Sequence, residues 1–269
     1  MHKPLISVLM PAFNSEEYIA ESIESILSSN YLNYEFIIVD DGSTDATNEI
    51  IKKYLKKYEN IFLHNKLNSG IVDSLNYGLK FCKGKWVARL DSDDLSSPDR
   101  LGKQLKIAES INNVGLVGSD YIRIDKFGNE LYSYGFPTSN HKLNERLIKC
   151  KAFFPHSSAF FNKELVDFLG GYRNRVSHSE DWDLWIRISQ YKKIVSVNSK
   201  LLKIRDQEKQ ITKFNYGKNQ IYDARLALIS HWYRINKNFD PISIFNNNEY
   251  RVFQSYIYQS LEKRNFDTY

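Results

Sequence analysis

The chain has 269 residues, of which 42% are hydrophobic and 14% aromatic, which is enough for a buried core and for one large domain or one domain with an appendage. The 37 Lys and Arg exceed the 32 Asp and Glu by five, a surplus too small to indicate a nucleic-acid-binding protein. Residues 200–269 carry the whole surplus, with twelve basic and seven acidic side chains.

Short β-branched runs alternate with helical stripes along the first 120 residues. The alternation, at intervals of about 25 residues, predicts an α/β fold with a mainly parallel, Rossmann-like central sheet and helices on both faces. The predicted strands are LISVLM (5–10), EFIIVD (35–40), NIFLH (60–64), KWVARLD (85–91) and VGLVGSD (114–120). The helical stripes are Ile19, Ile23, Ile26 and Leu27, then Ile50, Ile51, Tyr54 and Leu55, then Leu75, Leu79 and Cys82.

Polar residues follow three of the predicted strands. They read PAFN (11–14), DDGSTD (40–45) and DSDD (91–94). Because ligands bind at the carboxyl ends of the strands in such a sheet, the three segments predict one binding site along that edge. Unrelated acidic surface turns are the alternative.

The third polar segment has the composition of a cation site. Asp91 and Asp93 are two residues apart, so their side chains can point the same way, and Asp94 follows. Carboxylates this close repel one another, and a hard divalent cation such as Mn²⁺ or Mg²⁺ removes the repulsion. The spacing excludes a calcium EF-hand, which needs a Glu at the twelfth loop position. Ser97 and Pro98 predict a helix start directly after the loop.

The second polar segment has residues that can recognise a nucleobase. A carboxylate at this strand end, Asp41 or Asp40, can accept a hydrogen bond from the imide N–H of uracil or thymine. In the alternative interpretation, both aspartates serve only the turn and the cap of the next helix.

The number of cysteines and the lengths of the apolar runs indicate in which cellular compartment the protein lies. Cys82 and Cys150 are too few for a disulfide framework and form no C-x-x-C pair. The N-terminal apolar run ends at Pro11, which makes it too short for a secretory signal, and no stretch approaches the length of a membrane span. These features predict a cytoplasmic protein, with contact from the inner face as the one form of membrane association.

Five segments together resemble the large family 2 of inverting nucleotide-sugar glycosyltransferases, of the bacterial surface-polysaccharide type, whose fold is called GT-A. The resemblance covers residues 5–212 and implies a GT-A domain over 1–212, with a nucleotide-binding half at about 1–120 and an acceptor half at about 121–212. A C-terminal helical extension would follow at 213–269. The segments are SVLMPAFNSEEYIAESIESIL, EFIIVDDGSTDAT, NSGIVDSLNYGLKFCKGKWVARLDSDDLSSPDRL, PHSSAFFNKELVDFLGGY and SEDWDLWIRIS.

The resemblance implies a donor of the nucleoside-diphosphate sugar class, with UDP as the carrier, and a glycan or lipid-linked glycan as acceptor. Asp93 would ligate Mn²⁺ or Mg²⁺, and Asp181 would be the catalytic base. From the residues alone, Asp181 is equally well explained as an acid in the first turn of a helix. The implied nucleotide-binding residues are Pro11, Ala12, Phe13, Asn14, Asp41, Asn68, Asp91, Ser92 and Arg205. The residues implied at an acceptor or diphosphate site are His156, Glu180 and Trp182.

One departure from the family pattern concerns the metal. The family often carries a histidine after the catalytic helix, where this chain has Gln207 in IRDQEKQIT (204–212). Arg205 could then carry more of the diphosphate charge, or His156 could substitute near the acceptor. The Q-x-x-R-W motif of processive synthases does not occur in the chain, which favours transfer of a single sugar.

The last part of the chain predicts two helices rich in aromatic and basic residues, at about 216–236 and 243–264. Such helices can pack on the main domain, or they can contact a membrane surface or a lipid-linked acceptor. Two other classes stay open as alternatives: a non-catalytic nucleotide-sugar or cation-binding protein, and, with less support, a sugar nucleotidyltransferase.

Overall fold

The computed structural model describes residues 4–206 and 216–262, in which a single sheet is flanked by helices. The strands are β1 (Ile6–Ala12), β2 (Tyr34–Asp40), β3 (Ile61–Asn65), β4 (Trp86–Arg89), β5 (Leu95–Ser96), β6 (Val114–Ile124), β7 (Glu130–Tyr134), β8 (Phe160–Asn162) and β9 (Lys193–Arg205). The helices are α1 (Ile19–Leu27), α2 (Thr47–Leu55), α3 (Ile71–Leu79), α4 (Arg100–Ser110), α5 (Asn140–Ile148), α6 (Lys163–Phe168), α7 (Glu180–Ser189), α8 (Tyr216–Lys237), α9 (Pro241–Ile244) and α10 (Asn247–Glu262).

The sheet has the strand order β3-β2-β1-β4-β8-β6-β9-β5, and β7 pairs with β6 outside this path. The first four strands run parallel, and β6 runs parallel to β9. The short strand β8 is antiparallel to both of its neighbours, β4 and β6. The prediction of a mainly parallel α/β sheet is therefore confirmed, with antiparallel pairs added in the second half of the chain.

Each face of the sheet has its own hydrophobic core. On β1, Val8 and Met10 pack with α1, α2 and α4, whereas Leu9 packs on the other face with α3, α5 and α7. Successive side chains of a strand point to opposite faces, and a strand covered on both faces is apolar along its length. This is why β1 and β2 are buried at every position.

The helix after the acidic loop begins later than the sequence predicts. Its first residue is Arg100, and Ser97 and Pro98 lie in the turn before it. The Ser97 N–H donates to the Leu201 carbonyl of β9 at 2.9 Å, and the Arg100 N–H donates to the Ser97 carbonyl at 3.0 Å. The hydrogen bond to the last strand therefore ties Ser97 to β9, and the helix begins only after the turn that Ser97 opens.

The C-terminal helices pack on the rest of the molecule. Ala227 of α8 lies in the core beneath α7, and a third apolar cluster joins Val176 to Leu226, Ile242 and Tyr250. Within the described ranges, α8 and α10 confirm the two predicted helices. In the same ranges, no helix combines the length and the apolar character that crossing a bilayer requires. The predicted boundary at residue 212 and Gln207 lie outside the described residues.

Candidate functional site

A cavity of about 610 Å³ opens at the carboxyl ends of β1, β2 and β4. The three polar segments that follow these strands meet there, as the sequence predicts. Nine predicted site residues line the cavity, namely Pro11, Ala12, Phe13, Asn14, Asp41, Asn68, Asp91, Ser92 and Asp93.

The first two polar segments are joined to each other at the cavity rim. The Asn14 N–H donates to the Ser43 hydroxyl at 3.0 Å, and the Asn14 side-chain oxygen accepts from the Thr44 N–H at 2.8 Å. Gly42 has a φ of +73°, and a Cβ there would lie 2.9 Å from the Asn68 backbone nitrogen. Only glycine fits such a position without displacing the neighbouring loop.

Asp41, and not Asp40, lies at the cavity. Its carboxylate accepts hydrogen bonds from the Ser69 and Gly70 N–H groups at 3.0 and 2.9 Å and pairs with the Lys66 ammonium. A carboxylate has about four lone-pair sites, so the geometry leaves capacity for one more donor. Asp40 instead accepts from the Ser43 N–H at 3.0 Å and serves the turn.

The acidic loop brings three carboxylates together. One oxygen from each of Asp91, Asp93 and Asp94 lies within 4.8 Å of the others, and no other group of this kind occurs in residues 4–206 and 216–262. Hard oxygen ligands in this number suit Mn²⁺ or Mg²⁺. His156 is not part of this group of three carboxylates.

Protein groups already offset part of the repulsion in the loop. The buried Arg89 guanidinium pairs with Asp91, and the Ser157 hydroxyl donates to Asp91 at 2.8 Å. Burial alone would raise the pKa of Asp91, but the Arg89 charge holds it below its ordinary value. Arg89 and Ser157 therefore hold Asp91 in place through protein contacts.

The other two carboxylates keep an unbalanced charge. Burial, and then the neighbouring Asp91, raise the pKa of Asp93 to about 6. Burial and the adjacent Asp93 raise the pKa of Asp94 well above its ordinary value. Asp93 lines the cavity and Asp94 is buried behind it, and neighbouring carboxylates that resist ionisation fit a site that is completed by a cation. The residues present thus suit a divalent metal.

Arg205 lies behind the acidic loop and is 1% exposed. Its guanidinium donates to the Asp93 and Lys126 carbonyls at 3.1 and 3.0 Å, pairs with Glu21 at 2.7 Å, and lies 4.4 Å from the centre of the Tyr18 ring. Its backbone N–H donates to Asp94 at 3.0 Å. All three guanidinium nitrogens bind protein oxygens, which supports a role in positioning the loop. The expected contact with a diphosphate stays a prediction.

The predicted acceptor residues gather at the start of α7. His156 contacts the Tyr172 hydroxyl through Nε2 at 2.9 Å and Glu180 through Nδ1 at 3.5 Å. Burial and the Arg89 charge lower the pKa of His156 to about 3, so its ring is neutral. Burial raises the pKa of Glu180 to about 7 and also raises that of Asp181. The ring centres of Trp182 and Phe153 are 5.8 Å apart.

Several residues that hold this arrangement were missed in the sequence. Ser157 bridges Arg89 and the acidic loop across 63 to 68 positions of the chain. Arg173 and Arg187 pair with the buried Asp183, and burial, which would raise the pKa of Asp183, is outweighed by these cations, which lower it. Arg89 is the one of these residues that a local pattern could have indicated. It is a charged residue at the end of an apolar strand, directly before the acidic loop.

Comparisons with known proteins agree with this geometry. The chain is 35% identical over 241 residues to an uncharacterized glycosyltransferase, MJ1057 of Methanocaldococcus jannaschii, a match that covers 86% of this chain and 81% of that protein. Residues 1–349 of S. aureus TarS, solved with UDP-GlcNAc, have a TM-score of 0.69 at 20% identity, covering 97% of this chain and 72% of that one.

A mannosyltransferase from Pyrobaculum calidifontis, solved with GDP-Man and Mn²⁺, has a TM-score of 0.62 at 17% identity and covers 100% of this chain and 89% of that one. At these identities the two solved structures establish the GT-A fold alone. The sequence pattern of the family described as Glycosyl transferase family 2 matches residues 7–169, which is more than half of the chain. With the cavity, the acidic loop and the relative at 35% identity, this match shows that the chain belongs to glycosyl transferase family 2.

Proposed function

We propose that the protein is a metal-dependent, inverting glycosyltransferase that moves one sugar from a UDP-linked donor to a hydroxyl of a growing surface glycan, such as a capsule, lipooligosaccharide or O-antigen. The observation that carries the proposal is the cavity that has Asp41 at one end and the acidic loop at the other. A carboxylate at one end can bind the nucleobase, and a cation at the other end can bind the diphosphate. The cavity therefore suits a nucleoside diphosphate.

The donor would lie along the strand ends. Pro11, Ala12 and Phe13 form the shelf beneath the nucleoside, and Asp41 accepts the imide N–H of uracil. Asp91 approaches the ribose or the sugar, and Asp93 ligates the metal. A Mn²⁺ or Mg²⁺ ion bound there supplies Lewis-acid stabilisation of the charge that grows on the leaving diphosphate. The nucleotide sugars bound by the TarS and Pyrobaculum proteins support a donor of this class.

Asp181 would act as the base on the acceptor side. It accepts the proton of the acceptor hydroxyl, whose oxygen attacks the anomeric carbon from the face opposite the diphosphate, and the product has inverted configuration. General-base assistance of this kind contributes about 10² to 10⁴ in rate. The neutral His156 ring adds no positive charge beside Asp181. We place this reaction in the cytoplasm, at the inner face of the membrane.

The proposal is tested with a panel of UDP-, GDP- and dTDP-sugars in the presence of Mn²⁺. We expect a UDP-sugar to raise the thermal unfolding midpoint, since ligands of the native state stabilise it, and to be slowly hydrolysed. Asp93→Asn should lose most of the donor stabilisation, because the metal ligand is gone. Asp181→Asn should keep it and lose about 10² to 10⁴ of the turnover.

The matched control is Asp99→Asn, which removes an exposed carboxylate in the turn before α4, and it should match the parent protein in both measurements. If no pyrimidine-linked donor stabilises the protein, the transferase proposal fails. If donors bind but the parent protein turns none of them over, a non-catalytic nucleotide-sugar-binding protein is the better description. Turnover of Asp181→Asn at the parental rate would show that Asp181 is not the base.

A further inference from the structure

One face of helix α8 exposes apolar side chains along most of its length. Five residues that recur at intervals of four and three positions lie on this face. Ile221, Trp232 and Ile235 are 51%, 51% and 64% exposed, and the two residues between them are half-buried. Together they form the α8 stripe, whose members are Ile221, Arg225, Leu228, Trp232 and Ile235.

The other faces of α8 already pack on the molecule. Ala227 lies in the core with α7, and Leu226 lies in the third apolar cluster. The ring centres of Tyr222 and Tyr258 of α10 are 4.9 Å apart. The α8 stripe is therefore apolar surface in addition to what the fold buries, and contiguous surface of this kind commonly marks contact with a protein or a membrane.

Basic side chains adjoin the first half of the stripe. Burial raises the pKa of the Cys150 thiol, and the Arg225 charge opposes this shift, which places the stripe beside the end of α5. Lys149 and Lys151 are exposed there, and Lys149 pairs with Glu145 at 2.6 Å. Residues 140–151 carry four basic side chains against one acidic one, namely Lys142, Arg146, Lys149 and Lys151 against Glu145. The surface next to the stripe therefore has an excess of positive charge.

The stripe begins beside the proposed base. The Ser179 hydroxyl donates to the Gln220 carbonyl at 2.7 Å, and Gln220 directly precedes Ile221. Ser179 itself lies directly before α7, two residues from Asp181. A surface that contacts the stripe would therefore lie close to the place where an acceptor hydroxyl reacts.

We propose that the α8 stripe and the basic end of α5 bind the surface of an anionic bilayer, with α8 parallel to the plane of the headgroups. The inference rests on the proposed function and names the partner that would present a lipid-linked acceptor to Asp181. Basic side chains attract anionic headgroups, while tryptophan and aliphatic side chains enter the boundary between the headgroups and the acyl chains. The stripe and its neighbours offer both kinds of side chain on one side of the molecule.

A second copy of the chain explains the stripe less well. From Ile221 to Ile235 the stripe is about 21 Å long and about 10 Å wide, whereas a stable interface buries about 800 Å² on each partner. A second copy would also present the same basic side chains. An anionic bilayer sets no such minimum area, and its charge is opposite to that of the basic end of α5.

The test measures sedimentation of the protein with vesicles that contain phosphatidylglycerol and with vesicles of pure phosphatidylcholine. We expect the parent protein to bind the anionic vesicles about tenfold or more tightly, because each basic side chain near the surface adds to the attraction. The tryptophan emission should shift to shorter wavelength on binding, since Trp232 is the most exposed of the four tryptophans.

Ile235→Asp should weaken binding to the anionic vesicles about tenfold or more, because an apolar contact is lost and a negative charge is added. Leu32→Asp makes the same kind of change at an exposed position before β2. It is the matched control and should bind as the parent does. Thermal unfolding midpoints confirm that each variant is folded.

Equal binding of the parent protein to the two kinds of vesicle overturns the inference, as does an Ile235→Asp protein that binds like the parent. A dimer in light scattering that Ile235→Asp dissociates, without vesicle binding by the parent, would assign the stripe to a second copy and also overturn it. Donor stabilisation and hydrolysis in solution decide the proposed function separately, because they need neither vesicles nor acceptor.

Discussion

The hydroxyl of Ser157 contacts four polar groups of the acidic site. It accepts from the Arg89 guanidinium at 2.9 Å and from the Asp91 N–H at 3.0 Å, and it lies against one carboxylate oxygen each of Asp91 and Asp94. A serine has one hydroxyl hydrogen, so it cannot donate to both carboxylates at once. Burial, and then the neighbouring Asp93 and Asp91 charges, raise the pKa of Asp94 well above its ordinary value.

Ser157→Ala should therefore destabilise the protein. The substitution leaves buried partners unsatisfied, and we expect the free energy of unfolding to fall by about 1 to 3 kcal/mol, measured by urea denaturation. Ser110→Ala removes an exposed hydroxyl that bonds only within its own helix and should change little. Equal effects of the two substitutions would contradict the role assigned to Ser157.

The raised pKa of Glu180 predicts that the free energy of unfolding depends on pH, and that Glu180→Gln removes this dependence. Burial raises its pKa from 4.5 to about 7 in the folded protein. Its contribution to stability is therefore complete below about pH 4.5 and is lost as the pH rises through about 7. Glu180→Gln, which stays neutral, should gain stability relative to the parent across this window, by up to about 3 kcal/mol above pH 7.

The measurement is urea unfolding of the two proteins at several pH values between 4.5 and 8.5, without metal. Glu109→Gln, at an exposed position of α4, serves as the control and should show a constant difference from the parent. A difference between Glu180→Gln and the parent that is the same at every pH would refute the assigned shift.

At the scale of elements, α7 is held from both sides by charged residues. Arg173 pairs with Asp183 of α7 and, at 2.8 Å, with Asp240 at the start of α9. Arg234 of α8 pairs with the same Asp240 at 2.9 Å. The C-terminal helices thus share ion pairs with α7, the helix that carries the proposed base. Because Arg173 contacts both Asp240 and Asp183, loss of the pair at α9 should also weaken the support of α7.

Asp240→Asn should weaken this connection. Burial alone would raise the pKa of Asp240, but Arg173, Ser230 and Arg234 lower it to about 2. The resulting stabilisation is present above the ordinary pKa near 4 and is lost as the pH falls towards 2. We expect Asp240→Asn to lower the free energy of unfolding at pH 7 by about 2 kcal/mol, with a smaller difference at pH 3.

The control for this substitution is Asp167→Asn. Asp167 forms an exposed pair with Lys163 one helical turn away, and such pairs contribute about 0.3 to 0.5 kcal/mol. An Asp240→Asn protein as stable as this control would show that the ion pairs around α9 contribute little.

At the scale of the whole molecule, the C-terminal helices share apolar cores with the sheet domain. Val176 precedes α7 yet packs with Leu226 and Ile242, and Ala227 lies in the main core. Elements that share a core lose their contacts together when either unfolds. The helical extension is therefore expected to behave as part of one folding unit and not as a separate domain.

Urea unfolding should consequently show one transition. We expect far-ultraviolet circular dichroism and tryptophan fluorescence to give coincident curves, since Trp232 reports on α8 and Trp86 on the sheet. A chain shortened to residue 239 should unfold at lower urea, because Val176 and Leu226 lose their cover. Two separated transitions in the full chain would assign the extension to an independent domain.

Local sequence patterns predict the elements of the first half of the chain and the sheet edge where the site forms. Strand and helix periodicities are local, and the carboxyl ends of parallel strands must share an edge. Asp41, Asp91 and Asp93 could therefore be placed at one cavity before the fold was known. The roles proposed for them came from the family resemblance and stay predictions.

The contacts that hold this site together join residues far apart in the chain and could not be predicted from its sequence. Arg205 reaches Asp93 across 112 positions of the chain, and Ser157 reaches Asp94 across 63. No periodic pattern relates residues so far apart, because their contact depends on how β9 and the 156–158 turn cross the sheet. For the same reason Ser97 and Pro98 favoured a helix start locally but lie in a turn that is tied to β9, whose pairing the sequence did not reveal.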